Sequence, residues 1–269
     1  MKIKIFIVTY NNPTDLQQTI DTIYKGIRYP LDDPNMKLEL NIINNHSNFV
    51  MPKTIDKIRV LHNVLRPDFS TGYLSRNWNQ ALILGFENLK EPKADIVIAC
   101  QDDTSFYVNW LNNLIELHKK FSFITYGWGD NFMSWTPEGV KRIGLWDERF
   151  LFGGGSCEYF FRALLMNKDK SSINDHYHNR LLNPQEIRIA DRLGEIKAHR
   201  MERKFNKESE RLMLRHKFPK AVELTTQDLT CWNKKFMNKL PREFVIKSYI
   251  IYPYFERDIE TLKEQNYLC

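Results

Sequence analysis

Two carboxylates stand side by side, Asp102 and Asp103, and only Gln101 separates them from the apolar run Ile96-Val97-Ile98-Ala99-Cys100. A buried strand that ends on two negative charges does one of two things. It makes a turn whose acids cap the helix that follows, or it holds something positive. Other polar groups gather in short clusters: Thr9, Tyr10, Asn11 and Asn12, then Asn44 and Asn45. Further on, "INDHYHNR" supplies Asp175, His176 and His178. The H-x-H spacing puts both rings on the same side of an extended segment.

The elements that must position these groups follow from periodicity. "KIKIFIVTY" alternates and then runs apolar, which predicts a buried β-strand at the start of the fold. "NNPTDLQQTIDTIYKGI" follows as a helix, with Leu16, Ile20 and Ile23 at helical spacing, Pro13 near its start and Gly26 near its end. "KLELNIINN" and "IRVLHN" read as strands. "YLSRNWNQALILGFENL" is a helix through Trp78, Leu82 and Phe86. "ADIVIAC" is a fourth strand, "YVNWLNNLIELHKKF" an amphipathic helix and "SFITYGW" another strand. Strands alternating with helices over the first 125 residues predict a mostly parallel sheet built of βαβ units. Such sheets bind ligands at the carboxyl ends of their strands. The clusters after strands one, two and four all fall at that edge, and three at one edge point to a site where any one alone would be turn chemistry.

Beyond residue 125 the alternation becomes irregular, with a Gly-rich loop at Gly153 to Gly155 and a mainly helical pattern from about residue 200. The chain has 269 residues, 42% of them hydrophobic and 27% charged, enough for a normal core in one large domain or one domain with an appendage. Cys100, Cys157, Cys231 and Cys269 show no C-x-x-C spacing, which excludes a zinc framework or a dense disulfide scaffold and suits reduced thiols in a cytoplasmic compartment. The apolar run at the N-terminus is too short for a signal peptide, and no stretch approaches the roughly 18 apolar residues of a membrane helix. The net charge of +6 is concentrated in "KAHRMERKFNKESERLMLRHKFPK". Interleaved Glu residues make this a solvated helix face first. Attraction to an anionic membrane surface or to a phosphorylated substrate is the sharper alternative. No nucleic-acid recognition motif is present.

The order of motifs resembles the GT-A fold glycosyltransferases, specifically the large family-2 group of inverting enzymes. "IFIVTYNN", "NIINNHSN", "SRNWNQAL", "IVIACQDDT" and "IGLWDERFLFGGGSCEYFFRAL" carry the resemblance over residues 1–170. It implies an α/β, Rossmann-like GT-A domain over residues 1–200, a mixed, mostly parallel sheet flanked by helices. A nucleotide-sugar-binding half would span 1–104 and an acceptor-binding half 105–200. A mainly helical C-terminal extension, 201–269, would pack on it.

It further implies that a nucleotide-sugar donor, a UDP-sugar first, lies across the carboxyl edge, with Thr9, Tyr10 and Asn11 near base and ribose. Asn44 stands where the group usually carries Asp in "DN-x-S" and bonds a base or ribose without adding charge. Arg76 and Asn77 match "R-N-x-G", with Asn79 replacing the glycine; Arg76 either contacts the diphosphate or pairs on the helix surface. Gln101-Asp102-Asp103 matches the D-x-D metal motif with its first acid replaced. Asp103 would then ligate Mn2+ or Mg2+ and Asp102 would lie beside the donor, with His176 or His178 completing the shell and His199 a weaker alternative. Aligning Arg162 with the family's helix-ending arginine places Glu158 as the base that deprotonates the acceptor hydroxyl. Gly155-Ser156 replaces the usual acidic pair. Asp147 and Glu148 are read as fixing the loop that shapes the acceptor pocket. One of Trp128, Trp135 and Trp146 is expected to face the acceptor, a glycan or glycolipid, with Tyr159 and Phe160 nearby. Two rivals are kept. One is a catalytically degenerate nucleotide- or sugar-binding module. The other is a sugar nucleotidyltransferase, disfavoured because "VTYNNPTDL" has no glycine or basic residue.

Overall fold

The computed structural model describes residues 1–27, 35–53, 57–63, 74–125, 131–148, 158, 159 and 163, together with the backbone of 187–189. Strand β1 (Lys2–Thr9) is buried on both faces because its residues are apolar at odd and even positions alike. Ile3, Ile5 and Ile7 enter one core layer, and Phe6 and Val8 the other. Helices cover both faces, so the strand reads as a continuous hydrophobic run.

β1 pairs in parallel with β2 (Lys37–Asn44) on one side and β4 (Ile96–Gln101) on the other, and β2 pairs in parallel with β3 (Arg59–His62). β7 (Phe132–Trp135) runs antiparallel to β4 and to β6 (Phe123–Thr125). The sheet order is β3-β2-β1-β4-β7-β6. This is the mixed, mostly parallel sheet that the motif order implies. A short second sheet joins β5 (Thr104–Phe106) to β8 (Ile187–Ile189). β5, β7 and α4 (Pro137–Ile143) are elements that periodicity did not predict. They are only three to seven residues long, too short to show a period.

α1 (Pro13–Gly26) and α3 (Trp110–His118) cover one face through Leu16, Ile20, Ile23, Trp110, Leu111 and Leu114. α2 (Leu74–Phe86) and α4 cover the other through Trp78, Leu82, Phe86, Val140 and Ile143. Gly85 permits α2 to lie close on the sheet, since a Cβ there would sit 2.4 Å from the Val97 side chain. Lys4 is the one charged side chain of β1's buried stretch. It reaches past the core to donate to the Leu84 carbonyl at 3.1 Å and to Glu87 at 3.0 Å, at the C-terminal end of α2, where a cation meets the negative end of the helix dipole.

The chain leaves β1 toward β2 on one side and returns as β4 on the other. The strand order therefore reverses between β1 and β4, and a crevice opens outside their carboxyl ends. Among the described residues no helix is long and apolar enough to cross a membrane.

Candidate functional site

Thr9 ends β1 and Asp102 follows β4, and the two meet at that reversal. The Thr9 hydroxyl donates to Asp102 Oδ2 at 2.6 Å, with both residues buried. The backbone holds the same junction: Asp102 N–H donates to the Val8 carbonyl at 3.1 Å and Gln101 N–H to the Asn131 carbonyl at 2.9 Å. Asp102 and Asp103 form the turn between β4 and β5, so no helix follows that they could cap; α3 starts only at Trp110. The capping alternative is thereby removed. Thr19, on the buried face of α1, donates from its single hydroxyl to the carbonyls of Asp102 at 2.7 Å and Thr104 at 2.8 Å.

Asp103 is buried as well, so two carboxylates share one poorly hydrated turn. Their field reaches the strand beneath. The fully buried Cys100 thiol is pushed well above its ordinary pKa, first by burial and then by the charges of Asp102 and Asp103.

The edge of β2 and β3 is built differently. Asn44 donates through Nδ2 to the His46 carbonyl at 2.7 Å and bonds His62 Nδ1 at 3.1 Å, while its Oδ1 accepts from His46 N–H at 3.2 Å. Its amide is thus used within the protein, closing the turn that follows β2. Asn45 anchors on the Thr9 carbonyl through its backbone N–H at 3.1 Å. Asn63 Nδ2 lies 3.2 Å from Asn45 Oδ1, 3.2 Å from Asn77 Oδ1 and 2.8 Å from Gln80 Oε1. Asn77 is fully buried in this amide network. Tyr10 and Asn11 are exposed at the rim; the Tyr10 ring packs edge-on against His46 at 4.9 Å, and Asn11 has a left-handed backbone with φ 50°.

Arg76 pairs with Glu148, Nε to Oε2 at 2.9 Å. Asn79, where the resemblance has glycine, donates to the Trp146 carbonyl at 2.9 Å and to Glu148 Oε1 at 3.0 Å, and accepts from Trp146 N–H at 2.7 Å. α2 thereby pins the stretch from Trp146 to Glu148, and Asp147 is buried within it. Glu158 is completely buried beside Tyr159.

The expected acceptor-facing tryptophan is not found at two of its three positions. Trp135 and Trp146 are both fully buried. Trp146 stacks on Tyr159 at 4.3 Å, and Trp135 Nε1 donates to the Tyr159 hydroxyl at 2.9 Å. Burial of the large rings claimed them for the core. Trp128, Gly153 to Gly155, Ser156, Phe160, Arg162, Asp175, His176, His178, His199 and the extension 201–269 lie outside the described residues. Among the described residues no three His, Cys, Asp or Glu side chains cluster as a ready metal cage.

Sequence reasoning missed Thr19, Asn63 and Gln80. Thr19 did leave a signal: it is a hydroxyl on the apolar stripe Leu16-Ile20-Ile23 of α1. A polar residue there must find a partner inside.

No protein-family model and no curated protein matches the chain. Among solved structures it is similar to a mannosyltransferase from Pyrobaculum calidifontis in complex with GDP-Man and Mn2+, with TM-score 0.40 and 14% identity over 61% of this chain and 52% of that one. It is also similar to S. aureus TarS, with TM-score 0.42 and 11% identity over 62% of this chain and 34% of that one. A shorter TarS chain in complex with UDP gives TM-score 0.42 and 11% identity over 61% and 55%. The chain thus spans between a third and a little over half of the chains it matches.

Proposed function

We propose that this protein is a glycosyltransferase that moves a sugar from a nucleotide-sugar donor, a UDP-sugar first, to a hydroxyl of a glycan or glycolipid, with inversion and with a divalent metal. The observation that supports it is the buried Asp102-Asp103 turn at the β1/β4 reversal, joined to Thr9 at 2.6 Å. Ligand crevices of open α/β sheets lie at such reversals, and the motifs of the sequence align donor binding with the same residues.

Mn2+ or Mg2+ fits this donor set. Asp103 and Asp102 offer hard oxygens, and two carboxylates buried together are relieved by a cation. Donor phosphates and water supply the remaining ligands of such ions, with His176 or His178 as further candidates. When bound, the ion would neutralise charge on the departing nucleotide. The chain's own residues do the rest. Thr9, Tyr10 and Asn11 line the base side of the edge, with the Tyr10 ring exposed toward it. Asn44 shapes that rim through the His46 turn, and Asn77 supports it from below. Arg76, held by Glu148, sets the opposite wall. Glu158 is the proposed base for the acceptor hydroxyl.

The test is hydrolysis of a panel of nucleotide sugars with Mn2+, Mg2+ or EDTA, in wild type and Asp103→Ala. One donor should turn over only with metal, and the variant should lose on the order of 10²-fold or more. Absence of both turnover and metal-dependent nucleotide binding would overturn the reading in favour of a binding module without catalysis. Gln101 and Asn44, neutral where acids are usual, are the residues that favour that second reading.

A further inference from the structure

We infer that Thr19 is a positioning residue for Asp103, a role the motifs do not assign. The inference rests on the metal-dependent donor reading above. Asp103 sits between two residues whose carbonyls are tied to one atom: Thr19 Oγ1 lies 2.7 Å from the Asp102 oxygen and 2.8 Å from the Thr104 oxygen. One hydroxyl hydrogen is shared between the two, so the carbonyls on both sides of Asp103 are drawn toward the same point on α1. The turn cannot swing without breaking that shared bond.

The placement is unusual for threonine. Thr19 is almost completely buried, in the stripe where α1 otherwise presents Leu16, Ile20 and Ile23 to the sheet. A valine would fill the space with the same shape and without a hydroxyl to satisfy. The hydroxyl therefore acts through the turn and not through packing. The other anchors hold Asp102 and Thr104: Thr9 takes the Asp102 carboxylate, and the Thr104 hydroxyl donates to the Asn131 carbonyl at 3.2 Å. Thr19 alone, among these anchors, brackets Asp103 from both sides, and it does so from a helix. A ligand that must meet a metal within a few tenths of an ångström depends on such outer partners.

The experiment is calorimetric titration of UDP into the full chain, with Mn2+ and with EDTA, for wild type, Thr19→Val, Thr19→Ser, Thr19→Cys and Asp103→Asn, each checked for folding by circular dichroism. Thr19→Val should lose about tenfold or more of the Mn2+-dependent UDP affinity, while the affinity in EDTA stays as in wild type. Thr19→Ser keeps the hydroxyl and should restore it. If Thr19→Val does not fold, Thr19→Cys decides: its thiol is a weak donor, so affinity clearly below that of Thr19→Ser supports the clamp and equal affinity overturns it. Asp103→Asn separates the two claims. If it abolishes the Mn2+ effect while Thr19→Val leaves it whole, the clamp is wrong and the donor reading stands. If Asp103→Asn also leaves the Mn2+ effect whole, the donor reading falls and takes the clamp with it.

Discussion

The two halves of the carboxyl edge are made of different chemistry. At the β1/β4 reversal, hydroxyls of Thr9 and Thr19 surround two buried carboxylates. At the β2/β3 edge, Asn63 links Asn45, Asn77 and Gln80 as neutral amides, and Asn44 is held beside them by His46 and His62. The first arrangement concentrates charge in one turn and fixes its backbone. The second spreads donors and acceptors so that nothing ionic is needed. An amide network rewards a fixed shape, whereas a pair of buried acids demands a counter-charge. The contrast separates the charged part of the edge, where the proposed cation would sit, from a neutral part whose shape is fixed by amides.

Three further experiments press on that contrast. The largest effect is expected from Asn63→Leu. It strips partners from Asn45, Asn77 and Gln80 together, and each buried polar group left unsatisfied costs roughly 1–3 kcal/mol. Urea unfolding should show a loss of about 3 kcal/mol. Molecules that stay folded should still respond to Mn2+, because the carboxylate turn is untouched. A lost Mn2+ response would show the two edges to be one unit.

The middle effect concerns acid. His118 packs with Nδ1–H donating to the Phe121 carbonyl at 2.9 Å and Nε2 accepting from the Ser134 hydroxyl. Burial lowers its pKa to about 4, against a smaller opposing pull from the Phe121 carbonyl. The folded protein then binds fewer protons than the unfolded chain between about 4 and the ordinary 6.5. Stability therefore is present above that window and falls as pH drops through it, by about 2 kcal/mol from near pH 7 to near pH 5. Unfolding curves of wild type and His118→Gln at the two pH values should show a slope that the variant lacks. That slope must be subtracted before any acid loss of UDP binding is assigned to Asp102 and Asp103.

The smallest effect is expected at Glu87. Lys4 beside it lowers its pKa, mainly through their hydrogen bond, so the pairing is present above the ordinary carboxylate range and lost as pH falls through the lowered value. Glu87 is largely exposed, and Glu87→Gln should shift the thermal midpoint little, as screened surface pairs do. A large shift would mean that Lys4 depends on this one acid and not on the Leu84 carbonyl.

Much of this was legible in the sequence where a period could repeat. β1, β2, β4 and α1 to α3 are long enough to show it, β3 and β6 show only as short apolar runs, and the polar clusters at the strand ends stand out against them. β5 and β7 are too short to show a period, and nothing in the sequence marks β7 as the antiparallel neighbour of β4. The site was legible as residue types and not as bonds. Asn44 reads as an amide at the donor edge, and its bonds to His46 and His62 are not visible in the sequence. Arg76 reads from its type as either a diphosphate contact or a helix-surface pair, and the sequence does not show that Glu148 stands 2.9 Å away. Trp135 and Trp146 read as a sugar platform because composition cannot tell a stacked ring from a buried one.

The bond between Thr9 and Asp102 spans 93 positions of chain. β1 can find β2 across a loop of modest length, but the reversal exists only once β4 has docked from much farther away. Closing so long a stretch of chain costs more entropy than closing the shorter β1–β2 connection. A chain too short to contain β4 therefore has no carboxylate turn to offer. The buried setting of the two acids is therefore acquired together with the pairing of β1 and β4, and not before it.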